Sequence, residues 1–155
     1  MSLWDFAVAT YRRPGVERDC LSLQDDHGQC VPLLLWRLWA LDRRFGASEL
    51  ARAVELARRW ETSVVAPLRS VRRGLREPFA GVAEDARLGL REKLKADELA
   101  AERILLESLK GLKIPGDSAP VDAADALVEL VAVWGGDAPA PLLVRLAAAA
   151  ASATA

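Results

Sequence analysis

A chain of 155 residues, 52% hydrophobic and 28% charged, is long enough to bury one core and too apolar to be disordered. Its formal net charge of −1 excludes a global basic field for nucleic acid. Its longest apolar run, Val31 to Leu41 interrupted by Arg37, is about half of the roughly 20 residues that cross a bilayer.

Ser2, with Asp5 three residues later, predicts a capped helix from Leu3 to about Arg12. Pro14 suits the first position of a second helix, in which Val16, Cys20, Leu23 and His27 share one face and Gly28 is a left-handed stop. A third helix is expected from about Pro32 to Phe45. It is apolar almost all round (Leu33, Leu34, Leu35, Trp36, Leu38, Trp39, Leu41), which places it at the centre of a bundle. Trp36 and Trp39 do not share one stripe, so either the helix is enclosed or one indole faces outward.

Ser48 is a cap for a fourth helix whose apolar stripe runs from Leu50 through Val54, Ala57, Trp60, Val64, Leu68 and Val71 to Leu75. Pro67 lies inside that stripe and predicts a kink or a break. After a loop near Glu77 to Val82, a long fifth helix is expected over 83–112, carried by Leu90, Leu94, Glu98, Leu105, Leu109 and Leu112. Gly111 and KIPGDSAP read as a linker, followed by a helix from about Val121 to Trp134, a GGDAPAP turn and an alanine-rich tail. The prediction is an all-α bundle of six or seven helices. Residues 1–112 are expected to form the bundle domain, and 113–155 an acidic, Ala-rich helical appendage.

The pattern LW…YRRPGV…CLSLQDDHG…VPLLLW…LW, followed by VVAPLRSVRR, resembles an uncharacterised family of small proteobacterial proteins known as a domain of unknown function. The resemblance spans roughly residues 3–110 and implies fold and topology, with no mechanism attached. Members often carry another residue where this chain has His27, and an Asp where it has Cys30. That weighs against an essential role for either.

Rare residue types concentrate in the first 46 positions, which hold three of five Trp, both Cys, the only His and the only Tyr. The chain opens without a basic leader, an apolar core and a cleavage site, so free thiols and a cytoplasmic location are expected. Asp25, Asp26 and His27 form a candidate polar site. Two carboxylates in the last turn oppose the helix dipole, at about 0.3–1 kcal/mol each, and need compensation from an internal arginine, a cation or a basic partner. Arg69, Arg72, Arg73 and Arg76 fall at i, i+3, i+4 and i+7 and form a candidate basic face.

The cysteine and histidine spacing matches no compact metal pattern, and no cofactor motif is present, so neither a metal nor a cofactor is expected. The leading functional reading is a helical interaction protein, an adaptor or a homodimer, without membrane association. One alternative is a metal-dependent or thiol enzyme centred on the turn from Asp25 to Cys30. The other is a phosphate or nucleic-acid binder using Arg69 to Arg76; that face lacks interleaved aromatics and a glycine-rich loop, so nucleic acid is disfavoured.

Overall fold

Local sequence signals set most of the helix ends. The computed structural model describes residues 1–112, 117 and 119–153. Helix α1 is Leu3–Tyr11, and the Ser2 hydroxyl accepts from the Asp5 amide (3.1 Å) while donating to its carboxylate (2.6 Å). Helix α2 is Val16–Asp25. It begins two residues beyond Pro14, which lies in the preceding turn, because Gly15 takes a left-handed φ of 82° that bends the chain before the helix starts. Gly28 (φ 63°) closes the far end as expected, letting the Gln29 amide donate back to the Leu23 carbonyl (2.9 Å).

Helix α3, Val31–Trp39, ends well short of Phe45. Arg37 supplies the reason. It is fully buried, donates to the Ala40 carbonyl just past the helix (3.0 Å) and lies over the Phe45 ring (5.2 Å), which itself stacks on Trp36 (5.5 Å). Residues 40–46 therefore fold back over the end of α3. Their course brings Arg44 into an antiparallel bridge with Asp117; among the described residues that bridge is isolated, and no strand forms.

Helix α4, Ala47–Trp60, is capped at Gly46, with Ser48 inside its first turn. The interruption expected at Pro67 takes the form of a π turn, Glu61–Val65, that runs without a break into α5, Ala66–Gly74. A wider turn moves the carbonyl that a proline ring would strike and absorbs the missing N–H, so the rod stays helical. Helix α6, Glu84–Gly111, is about 42 Å long at 1.5 Å per residue. Helices α7, Ala123–Trp134, and α8, Ala140–Ala153, complete the chain. Asp122 caps α7 through the amides of Ala124 and Asp125. With α4, the π turn and α5 counted as one rod, the described residues form an all-α bundle of seven rods.

Helix α3 is the central element, touching α1, α2, α4, α6, α7 and α8. Its residues Val31 to Leu38 are all buried, while Trp39 is exposed, so one indole does face outward. The apolar core is continuous from Leu3 and Phe6 through Leu23, Leu33 and Leu50 to Leu105, Leu127, Leu130, Leu143 and Leu146. Helices α7 and α8 thus share the core with α1 to α4. Side chains reinforce the join: Arg145 of α8 clasps buried Asp19 of α2 with two hydrogen bonds (2.6 and 3.1 Å), and Arg58 of α4 lies over Trp134 (4.3 Å). The expected linker at 113–116 and 118 lies outside the described residues.

One part of the fold departs from a packed bundle. Helix α5 and the first half of α6 pair as an arm covering residues 66–97. Its buried side chains are charged, Arg69 and Arg87, whereas Val71, Phe79, Val82, Leu88 and Leu90 are exposed. The stripe read as Leu90 and Leu94 reaches no core, because the bundle ends near Glu98. Arg87 holds the tip closed by donating to the Leu75 and Arg76 carbonyls at the end of α5 and pairing with Glu84. That arrangement satisfies carbonyls a helix end leaves without partners.

Candidate functional site

The two candidate sites meet. Arg73 on α5 donates to the Asp25 carboxylate at the end of α2 (2.5 Å), and the Gln24 amide donates to the same oxygen (2.9 Å). Burial pushes the Asp25 acid up, but the hydrogen bonds from Gln24 and Arg73 outweigh it and hold the group below the usual carboxylate range. Asp26 turns away, accepting from the Ser22 hydroxyl (2.9 Å). His27 is half-buried and takes part through its backbone carbonyl, which accepts from Gln29 (3.1 Å). The compensation required at the helix end is therefore an internal arginine for Asp25 and a serine for Asp26. Both members of the Arg73 pair are about 40% exposed, so the tie contributes at most about 1 kcal/mol.

The basic face does not stay together. Arg69 turns inward and is buried among three carboxylates, Glu61 (2.7 Å), Glu98 (2.9 Å) and Glu102 (3.5 Å). Arg72 joins it on the second oxygen of Glu98 (2.5 Å). Arg73 goes to Asp25, and the Arg76 guanidinium alone points to solvent without a partner among the described residues. Helical spacing placed the four on one side of α5. The acidic groups of α2, α6 and the π turn decide which are consumed.

Sequence reading missed Glu61 and Glu102. Glu98 carried a signal, since it falls in register with the leucines of α6, where a carboxylate is out of place unless paired. Glu102 follows one turn later on the same face and has a different environment. Its side chain is 25% exposed and lines a cavity of about 600 Å³ between α1, α2 and α6, closed at its floor by Val31, Pro32 and Leu35 of α3. Burial, with the neighbouring Glu98 and Glu61 carboxylates, pushes its acid from the ordinary 4.5 up to about 7 against the pull of Arg69. The cause is visible in the geometry: Arg69 sits closer to Glu61 and Glu98, and two guanidiniums face three carboxylates.

The cysteines lie nearby and are chemically quiet. Cys20 and Cys30 are buried and unbridged, and burial pushes both thiols up to about 12, far from the thiolate that nucleophilic chemistry requires. Among the described residues no group of three His, Cys, Asp or Glu side chains is arranged to hold a metal ion. No helix among them is long and apolar enough to cross a membrane.

Comparison with known proteins attaches no reaction to these residues. No curated protein and no solved structure matches the chain. The family described as "Protein of unknown function (DUF2390)" matches residues 2–109, from the cap of α1 to the last turns of α6. That range contains the arm, the arginine cluster and the cavity, and it leaves α7 and α8 outside. The chain belongs to this family, a domain of unknown function.

Proposed function

We propose that this protein is a cytoplasmic helical interaction module that docks a protein partner on its α5–α6 arm. The observation that carries the reading is the inverted character of the arm: its fully buried side chains are charged, and Val71, Phe79, Val82, Leu88 and Leu90 face solvent while, among its leucines, only Leu68, Leu75 and Leu94 are partly covered. Five exposed apolar groups on one element support a docking surface there, with Leu88 and Leu90, two positions apart on α6, on different sides of that helix. Residues 66–97 also carry eight Arg and Lys against five Asp and Glu, so the complementary partner surface is apolar at its centre and acidic at its rim. The Asp25–Arg73 tie and the Arg69 cluster brace the arm against the bundle and keep that surface rigid.

A photo-crosslinking residue at Phe79, used in cells, tests this directly. The expected result is one crosslinked protein whose capture is lost when Arg76→Glu is added, since Arg76 is the unpaired cation of the face. Capture unaffected by Arg76→Glu, or no crosslink at all, overturns the reading. A self-crosslink, matched by a dimer mass in light scattering, would make a second copy the occupant and replace the heterologous partner.

A further inference from the structure

The cavity between α1, α2 and α6 is a separate feature, on the bundle and not on the arm. Its volume of about 600 Å³ lies in the range of small-molecule sites. Most of its wall is apolar, with Val8, Leu21, Val31, Leu35, Leu99 and Leu106 facing the space. Two aromatic residues of α1, Trp4 and Tyr11, add ring surface. The carboxyl that is drawn into the cluster behind the wall is Glu102.

Charge balance decides what such a wall accepts. The cluster sets Glu61, Glu98 and Glu102 against Arg69 and Arg72. Arg69 is committed at 2.7 and 2.9 Å to Glu61 and Glu98, and only its longest contact reaches Glu102. Glu102 thus shares Arg69 with two other carboxylates, holds it by the longest of the three contacts, through Nη2 at 3.5 Å, and lies beside a space large enough to admit a second cation. An apolar molecule would fill the volume and leave that deficit. An anionic one would add to it.

We propose that this cavity binds an organic cation with an apolar body, an alkyl or aryl ammonium, whose charged head pairs with Glu102 and whose body lies against the apolar wall. Ammonium heads also gain from aromatic ring faces such as that of Tyr11, whereas the Trp4 ring already carries the Arg103 guanidinium over one face (4.9 Å). Other charged groups face the space from every side. Arg12 just past α1, Glu17 of α2 and Lys95 of α6 stand at its exposed rim, where water and salt screen them. Tyr11 and Cys20 are pushed up to about 12 and stay neutral through the physiological range. Helix α3 contributes only apolar groups to the floor, and Asp25 beyond Gln24 is held by Arg73.

The ammonium competes with the Glu102 proton. With that acid near 7, the cation-ready fraction rises about tenfold between pH 6 and pH 8. The experiment titrates the full chain, by calorimetry and tryptophan fluorescence, with three probes of one chain length: decyltrimethylammonium, decanoate and decanol. The expected result is that the ammonium binds tightest, with affinity about tenfold higher at pH 8 than at pH 6. Glu102→Gln should remove that pH dependence and the preference for the ammonium over decanol. Decanoate binding more tightly than the ammonium, which Arg12 and Lys95 would favour, overturns the proposal. So does equal binding of all three probes, a pH-independent ammonium affinity in the unmodified protein, or no binding. The wild-type comparison of probes and pH stands even if the variant folds poorly.

Discussion

Replacing Glu102 with glutamine stabilises the fold above neutral pH, although it removes a residue of a buried ion cluster. The native acid lies near 7 and an unfolded one near 4.5, so the native state holds the proton more tightly. The stability linked to that proton is full below the unfolded value and is lost as pH rises through the native one. At about 1.4 kcal/mol per pH unit the whole loss is about 3 kcal/mol, and the water that reaches a quarter of the side chain trims it to about 2–3 kcal/mol. Glutamine has nearly the same shape, cannot ionise, and offers an N–H where the protonated acid offers an O–H. Urea unfolding followed by circular dichroism at pH 5, 6, 7 and 8 measures the difference. The gap between variant and wild type should widen by about 2 kcal/mol from pH 5 to pH 8, equivalent to a rise in Tm of roughly 4–8 °C at the upper pH for a chain of this size. A gap that stays the same across that range, or a variant less stable than wild type at pH 8, would refute the charge balance drawn for the cluster.

Arg69→Leu acts in the opposite direction. It leaves Glu61, Glu98 and Glu102 with Arg72 alone, and loss of a buried ion partner costs about 3–5 kcal/mol. The loss should be smaller at pH 5 than at pH 8 in the same urea series, because protonation relieves the crowded carboxylates; a loss below about 1 kcal/mol at pH 8 would show that the guanidinium is not holding the cluster. Truncation after Leu112 removes Leu127, Leu130, Leu143 and Leu146, each at most 2% exposed and each contributing about 1.5–3 kcal/mol by burial. Together these rival the whole stability of an ordinary domain, so the shortened chain should lose its cooperative urea transition. A sharp transition in residues 1–112 would instead support the reading of 113–155 as an appendage.

How much of the candidate site could be read in advance depends on whether its partners lie close in sequence. The opposition of Asp25 and Asp26 to the helix dipole is local, and it correctly demanded compensation. That Arg73, 48 residues away, supplies it for Asp25 is a matter of where α5 ends relative to α2. The spacing of Arg69, Arg72, Arg73 and Arg76 described one side of a helix, yet the carboxylates of α2, the π turn and α6 divide that side into buried, tied and free cations. Glu102 offered no sign in the chain, since a glutamate on a long charged helix is ordinary until a cavity opens beside it.

The sequence by itself determined the helices, because caps, glycine stops and 3.6-residue apolar spacing act within one or two turns. It placed the Ser2 cap, the Gly28 stop and the extent of α6 with little error, and it put the apolar helix at the centre while running it on to Phe45, past its end at Trp39. Only the tertiary structure decided where those helices meet. Packing drew α7 and α8 into the common core and left the arm without one. It also buried Arg37 over Phe45, ending α3 early, and set three carboxylates around Arg69. These outcomes depend on desolvation and on distances between residues far apart in the chain, and no local pattern encodes either.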